Sequence, residues 1–250
     1  ECDFLWPETE SFDRYDLLVV PALYAAPESL LQKINDYVAA GGHLFTTFKT
    51  GFTDENLKVF HDSQPHILEV SMEYGKTREA LKRLDQCLGI SYSHFTFPKE
   101  VKLSGETYHC EDNELKNFME LVNPEGAQVL ASYDHYNWKR YAAVTRNVYG
   151  KGTATYLGCW TSDAMLREIL ADVLKDAGLW GSEQEVEFPV IIKKGTNDLG
   201  KEVVYYLNYS PEVREVTYYG VNGEELFGKM AVADGDLLEI GAWDLKIIER

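Results

Sequence analysis

Residues 15–48 constrain the fold more than any other stretch. "YDLLVVPAL" (15–23) is a continuous apolar run of strand length, rich in Val and Leu, as a strand buried on both faces reads. "APESLLQKINDYVAAGG" (26–42) then places Leu30, Leu31, Ile34, Tyr37 and Val38 on one helical face. Pro27 suits the first turn and Gly41 a left-handed C-cap. "HLFTTF" (43–48) returns as a second strand. Strand, helix and strand with short connections make one βαβ unit, which requires a parallel pair and a right-handed crossover. The next residues, "KTGFTDEN" (49–56), leave the carboxyl end of that strand, where open α/β sheets bind ligands. This is the place for a nucleophile turn, yet it carries Lys49 and Thr50, with neither Cys nor Ser.

Further elements extend the α/β pattern. "CDFLWPE" (2–8) reads as a short strand closed by Pro7, and "KTREALKRLDQCLGI" (76–90) as a helix. "NELKNFMELVNPEG" (113–126) reads as another helix, ended by Pro124. "AQVLASY" (127–133) and "KRYAAVTRNVYGKGTATYLGC" (139–159) read as three strands, the last two joined by a Gly150-Lys151-Gly152 hairpin turn. "SDAMLREILADVLKDAGLWG" (162–181) is the strongest helical pattern. Ser162 caps it, Leu166, Ile169, Leu170, Val173 and Leu174 form its apolar face, and Gly178 stops it. After Gly181 the period shortens to alternation: "EVEFPVIIKKG", "KEVVYYLNYS", "REVTYYGVNGEELF", "GDLLEIGA" and "WDLKIIER" predict a small antiparallel sandwich. The two domains expected are 1–183 and 184–250.

The 250 residues suffice for these two cores, and 45% hydrophobic residues argue against disorder. A net charge of −17 repels nucleic acid and anionic membrane surfaces, which directs the search for partners to neutral sugars and other proteins. No run reaches the roughly 18 apolar residues of a membrane helix. Cys2, Cys87, Cys110 and Cys159 include no C-x-x-C pair, so reduced thiols in a cytoplasmic protein are expected. The start at Glu1, with Met72 the first Met, suggests a piece of something longer.

"YDLLVVPALYAAPESLLQKINDYVAAGGHLFTTFKTGFTDEN" resembles the middle domain of the family 42 glycoside hydrolases, the β-galactosidases. "YGKGTATYLGCWTSDAMLREILADVLKDAGL" is similar to the closing hairpin and helix of that domain, and "EVEFPVIIKKGTNDLGKEVVYYLNYSPE" through "WDLKIIER" to the family's small C-terminal sandwich. The resemblance implies an α/β, flavodoxin-like domain, akin to class I glutamine amidotransferases, that makes the enzyme a trimer. It implies a separate catalytic barrel carrying the two catalytic Glu residues. That barrel, needing more residues than this chain has, is the expected partner, and the match is expected to begin after the domain's first strand and helix. The chain by itself is expected to be a non-catalytic assembly region, with no catalytic residue and no cofactor.

Candidate sites rank accordingly. Retaining glycosidases need two carboxylates about 5 Å apart; Asp54-Glu55 is such a pair on paper, but adjacent loop carboxylates ordinarily point apart into solvent. Phe48, Lys49, Phe52 and Asn56 share that loop and are candidates for an interface or for proximity to substrate. Cys159, ending the strand "TATYLG" ahead of Trp160, lacks the tight turn of a nucleophile and reads as a buried thiol. "SYDHYNWKRY" (132–141) clusters Tyr136 and Trp138 with His135, Tyr133 and Tyr141, which fits packing, an interface or sugar stacking. Tyr205, Tyr206, Tyr209, Tyr218 and Tyr219 alternate as strand residues do. His109-Cys110 has no second ligand pair, so no metal is expected. Two rivals remain: an independent amidotransferase-like carbohydrate-binding or regulatory module, and a Cys159 hydrolase.

Overall fold

A computed structural model describes residues 2–59 and 84–250. The chain forms two compact units, Leu5–Leu179 and one built on Trp180–Arg250.

The first unit begins with the parallel pair that the βαβ pattern requires. Strand β1 (Leu17–Val20) pairs in parallel with β2 (His43–Thr47), connected by helix α1 (Glu28–Ala40). Leu30, Leu31, Ile34, Tyr37 and Val38 are buried on α1, as their spacing predicts. Gly41 (φ 128°) ends the helix, and Tyr37's ring lies where a Cβ on Gly42 would stand, so both glycines are needed.

The stretch 2–8 forms no strand. Pro7 has no amide to give a ladder, and the carbonyls of Pro7 and Thr9 accept from Lys33 Nζ instead. Of the helix expected over 76–90, residues 76–83 lie outside those described; the remainder includes a short helix α2 (Leu84–Leu88). Strands β3 (Ile90–Thr96) and β4 (Lys102–Ser104) follow, neither of them predicted.

The helix expected over 113–126 is a correction. Its second half is strand β5 (Met119–Pro124), and residues 113–118 form no helix. Leu115, Met119 and Val122 satisfy a helical period, but the segment is paired on both sides: antiparallel to β3, and to β7 (Ala142–Tyr149) through Val122↔Ala142. Ladder pairing overrides local propensity here. Strands β6 (Gln128–Asp134), β7 and β8 (Gly152–Leu157) are the three predicted strands. Helix α3 (Asp163–Asp176) starts where expected, with Ser162 Oγ accepting the Met165 amide at 3.1 Å. Its buried row is Met165, Ile169 and Val173, with Leu166 and Leu170 beside it at the margin.

The sheet has eight strands. Its main path runs β1-β2-β8-β7-β5-β3, with β6 also on β7 and β4 on β6. β1, β2 and β8 are mutually parallel; the rest pair antiparallel. Alternation along the strands feeds two cores. Leu44, Ala154 and Tyr156 face α1 and Leu88, whereas Phe45, Leu157 and Val144 face Met165, Ile169 and Val173 of α3. The sheet is thus covered on both faces, which places the ends of the parallel strands where loops meet.

The second unit is all antiparallel. Strands β9 (Val190–Thr196), β10 (Glu202–Asn208), β12 (Gly223–Glu225), β13 (Met230–Val232) and β15 (Leu245–Glu249) form a sheet in the order β13-β12-β15-β10-β9. β11 (Arg214–Thr217) and β14 (Leu237–Ile240) pair separately. Tyr206 and Tyr218 fill its core with Val204, Ile240 and Ile248. Of the five tyrosines expected on strands, Tyr205 and Tyr206 lie on β10, whereas Tyr209, Tyr218 and Tyr219 fall just outside the strands.

Candidate functional site

The turns at the carboxyl ends of β1 and β2 are tied together by threonine hydroxyls. Thr46 Oγ1 donates to the Val20 carbonyl at 2.7 Å and meets Thr50 Oγ1 at 2.8 Å. Thr47 Oγ1 accepts the Ala22 amide at 2.8 Å and Thr50 Oγ1 the Leu23 amide at 3.2 Å. These bonds lock the turn after β2 to the turn after β1. Within it, Lys49 has φ 62°, a left-handed backbone that a side chain tolerates at a cost of about 1 kcal/mol or more.

Glu120, on β5, is what holds Lys49 there. Its side chain is fully buried; Oε1 accepts the Lys49 amide at 2.9 Å and Oε2 the Tyr156 hydroxyl at 2.6 Å. Burial pushes the Glu120 carboxyl up to about 7, against the pull of those donors and of the Lys49 ammonium. Tyr133 donates to the carbonyl of Glu120 at 2.7 Å. Tyr92's hydroxyl is buried beside the carboxylate and interacts with it, lowering the Glu120 carboxyl pKa while burial and the Glu120 charge raise that of the phenol, although no bond of good geometry joins the two.

The Lys49 ammonium itself lies among ring faces, 3.4 Å from the centroid of Phe95, 3.8 Å from Phe52 and 5.3 Å from Phe118. The rings continue outward as a chain. Phe95 meets Phe118 at 5.4 Å, Phe118 meets Phe48 at 5.0 Å, Phe48 stacks on Trp160 at 6.4 Å, and Phe52 meets Tyr24 at 5.2 Å. Phe95, Trp160 and Tyr24 are 46, 48 and 44% exposed, so this rim is an apolar surface rather than a closed core. Burial lowers the Lys49 pKa and Glu120 pulls it back up, as do ring faces around a cation.

Residues 1–180 match the model of the β-galactosidase trimerisation domain. The chain belongs to that family. It is 28% identical over 243 residues to β-galactosidase LacA of Lactobacillus acidophilus, covering 96% of this chain and 33% of the relative. Over 244 residues it is 28% identical to β-galactosidase BglY of Alicyclobacillus acidocaldarius, covering 97% of this chain and 34% of the relative. The chain therefore spans about a third of the length of the curated relatives it matches. Among solved structures, the β-galactosidase of Bacillus circulans sp. alkalophilus superposes with a TM-score of 0.78 at 19% identity, over 98% of this chain and 34% of that one. The likeness at that identity is one of fold.

In this trimerisation domain the candidates from sequence separate. Phe48, Lys49 and Phe52 share the rim. Asp54 is a loop-building residue, its Oδ1 accepting the amides of Asn56 at 2.9 Å and Lys58 at 2.8 Å. Glu55 and Asn56 are exposed beside it. Tyr136 and Trp138 belong to the turn between β6 and β7. His135 stacks on Trp138 at 4.0 Å, Trp138 leans on the α3-side core, and Tyr136 is 81% exposed. Nothing in the sequence links Glu120, Phe95 and Phe118 to residue 49, because 113–126 reads as a helix and 91–96 carries no clear period. The signal was a lone carboxylate inside an apolar run, "NFMELV".

Two other groups look reactive and are not. Cys159 is buried, and burial, together with the Glu120 charge, pushes its thiol well up. At the opposite end of the strands, Thr153 Oγ1 lies 2.7 Å from both His43 Nδ1 and Asp176 Oδ2. A carboxylate has no proton to give, so Thr153 donates to Asp176 and must accept from His43 Nδ1. His43 is then no base toward Thr153. The His109 and Cys110 amides both donate to Glu168. Among the described residues no group of three His, Cys, Asp or Glu side chains is placed to hold a metal.

Proposed function

We propose that this chain is the non-catalytic assembly region of a β-galactosidase, a homotrimer whose catalytic barrel hydrolyses terminal β-D-galactosides in carbohydrate metabolism. The match of residues 1–180 to the trimerisation-domain family carries the reading. The relatives, named β-galactosidases and three times as long, support the identity of the parent. The fold reads as flavodoxin-like: the parallel β1-β2-β8 core, with α1 and α3 on opposite faces, supports it. Four free cysteines support a cytoplasmic setting. No helix among the described residues is long and apolar enough to cross a membrane.

The face through which copies meet is the aromatic rim. It is an extended set of half-exposed rings among the described residues, it surrounds a preset cation, and it lies on loops fixed by threonine bonds. Burying Phe52 fully contributes about 2 kcal/mol, repeated at each symmetry-related contact. Light scattering tests this: wild type gives a discrete trimer, and Phe52→Asp weakens each contact by about 30-fold or more. A trimer indifferent to Phe52→Asp moves the interface elsewhere. Purified chain given a chromogenic β-galactoside shows no turnover; turnover that tracks the protein through repurification overturns the non-catalytic reading.

A further inference from the structure

Glu120 ties three pieces of the rim's support together. It stands on β5, holds the Lys49 turn through Oε1 and holds β8 through the Tyr156 hydroxyl on Oε2. A fully buried carboxylate bears a desolvation penalty in its ionised form, and two charge-assisted bonds offset it only in part. Its environment also offers a second arrangement. The Tyr92 oxygen beside it accepts no hydrogen bond among the described residues. An ionised Glu120 accepts from Lys49 and Tyr156; a protonated Glu120 has one proton to donate, and Tyr92 supplies an acceptor for it.

We propose that Glu120 is a proton-controlled latch on the assembly surface: ionised, it fixes the Lys49 turn and its ammonium in the ring cage, and protonation releases both. The inference rests on the rim being the copy-to-copy face. The groups around Glu120 leave it as the one that changes charge near neutrality. From the β2 turn comes Lys49, from β8 Tyr156, from β3 Tyr92, from β6 Tyr133, and after β8 Cys159. Burial raises all three tyrosines and the cysteine, so they stay neutral, while Lys49 is the lone cation of the set. Burial puts the Glu120 carboxyl at about 7. When copies meet, water leaves the rim and the Lys49–Glu120 attraction strengthens in the lower dielectric. Association then favours the ionised form and releases up to one proton per protomer. Each pH unit below the midpoint weakens assembly by up to about tenfold per protomer.

The test uses the whole chain. Sedimentation velocity over a dilution series, from about pH 5.5 to about pH 8.5, compares wild type with Glu120→Gln, which keeps the shape and removes the titration. In parallel the Lys49 amide of ¹⁵N-lysine-labelled wild type is followed by NMR across the same range, which needs no variant to fold. The expected result is a wild-type trimer that dissociates toward acid, a Glu120→Gln chain that assembles at every pH about as weakly as acidified wild type and so lacks the slope, and a Lys49 amide that titrates near neutrality. A Lys49 amide indifferent to pH overturns the latch. A titrating amide with a pH-indifferent trimer overturns its control of assembly. A titrating amide in a chain that is monomeric at every pH overturns the assembly reading, and the regulatory role with it, while the proton site itself stands.

Discussion

The two ends of the parallel strands use charge in opposite ways. At the amino end, Arg146 reaches Asp172 at 2.8 Å and Asp176 at 3.3 Å, while Tyr108 and Thr153 donate to the same two carboxylates. Two negative charges face a guanidinium, and both aspartates keep about a quarter of their surface in water. At the carboxyl end, Glu120 is wholly buried, bonded to an amide and a phenol, under a backbone held at positive φ. The first arrangement is that of a clamp between α3 and the sheet. The second carries uncompensated desolvation and strain at one point, and such points concentrate where a molecule does something besides stay folded.

The largest effect separating the two ends is expected from Glu120→Ala. It strands the Lys49 amide and the Tyr156 hydroxyl, each a buried donor worth about 1–3 kcal/mol when unpartnered, and leaves a hole. A loss of about 4 kcal/mol in urea unfolding is expected; a loss below about 1 kcal/mol would mean the carboxylate holds nothing.

The pH dependence of stability is next. The Glu120 carboxyl titrates at about 7 folded, against 4.5 as its ordinary value. Between those values the folded chain binds a proton the unfolded chain has released, so stability falls as pH rises through this window and then levels off. The slope amounts to about 3 kcal/mol across the window. Thermal or urea unfolding of wild type and Glu120→Gln over this range checks it: the difference between the two curves carries the slope, and parallel curves would show an ordinary carboxyl.

How much of this contrast is readable from sequence differs between the ends as well. The βαβ unit, the Gly150 hairpin and the capped helix at Ser162 are local signals, and local signals located the parallel core and the Lys49 turn. Glu120 is placed by pairing between segments far apart in the chain. Leu115, Met119 and Val122 fit a helical stripe as well as a strand, and the neighbours that decide between them are β3 and β7. Likewise the cage around Lys49 needs Phe95 and Phe118, which no sequence period links to residue 49. The amino-end clamp was equally silent, since nothing local connects Arg146 to Asp172 and Asp176.

Arg146→Met gives a smaller effect of a different kind. It leaves two aspartates facing each other without their cation, at a cost of about 2 kcal/mol that partial exposure and relaxation reduce. Salt screens the remaining repulsion, so the deficit should shrink in about 1 M NaCl, where the screening length is about 3 Å. The Glu120→Ala deficit, arising from buried unpartnered donors, should not. Equal salt sensitivity at both ends would erase the distinction between them.

The finest test concerns the strain itself. Lys49 at φ 62° combines three contributions: an unfavourable backbone, an amide bond to Glu120, and a cation among rings. Lys49→Ala removes the cation and keeps the backbone cost, since alanine has a Cβ. Lys49→Gly removes the cation and the strain together, at the price of greater freedom in the unfolded chain. The amide bond survives in both, so the difference between the two variants isolates the backbone. Left-handed geometry costs a side-chain-bearing residue about 1–2 kcal/mol, and the added freedom of glycine takes back roughly 0.5–1 kcal/mol. Lys49→Gly should therefore unfold at higher urea than Lys49→Ala by about 0.5–1 kcal/mol. If alanine proves the more stable, the turn relaxes out of the left-handed region once the lysine is gone. The cage would then be what bends the backbone, and Glu120 would be following the turn that the rings impose.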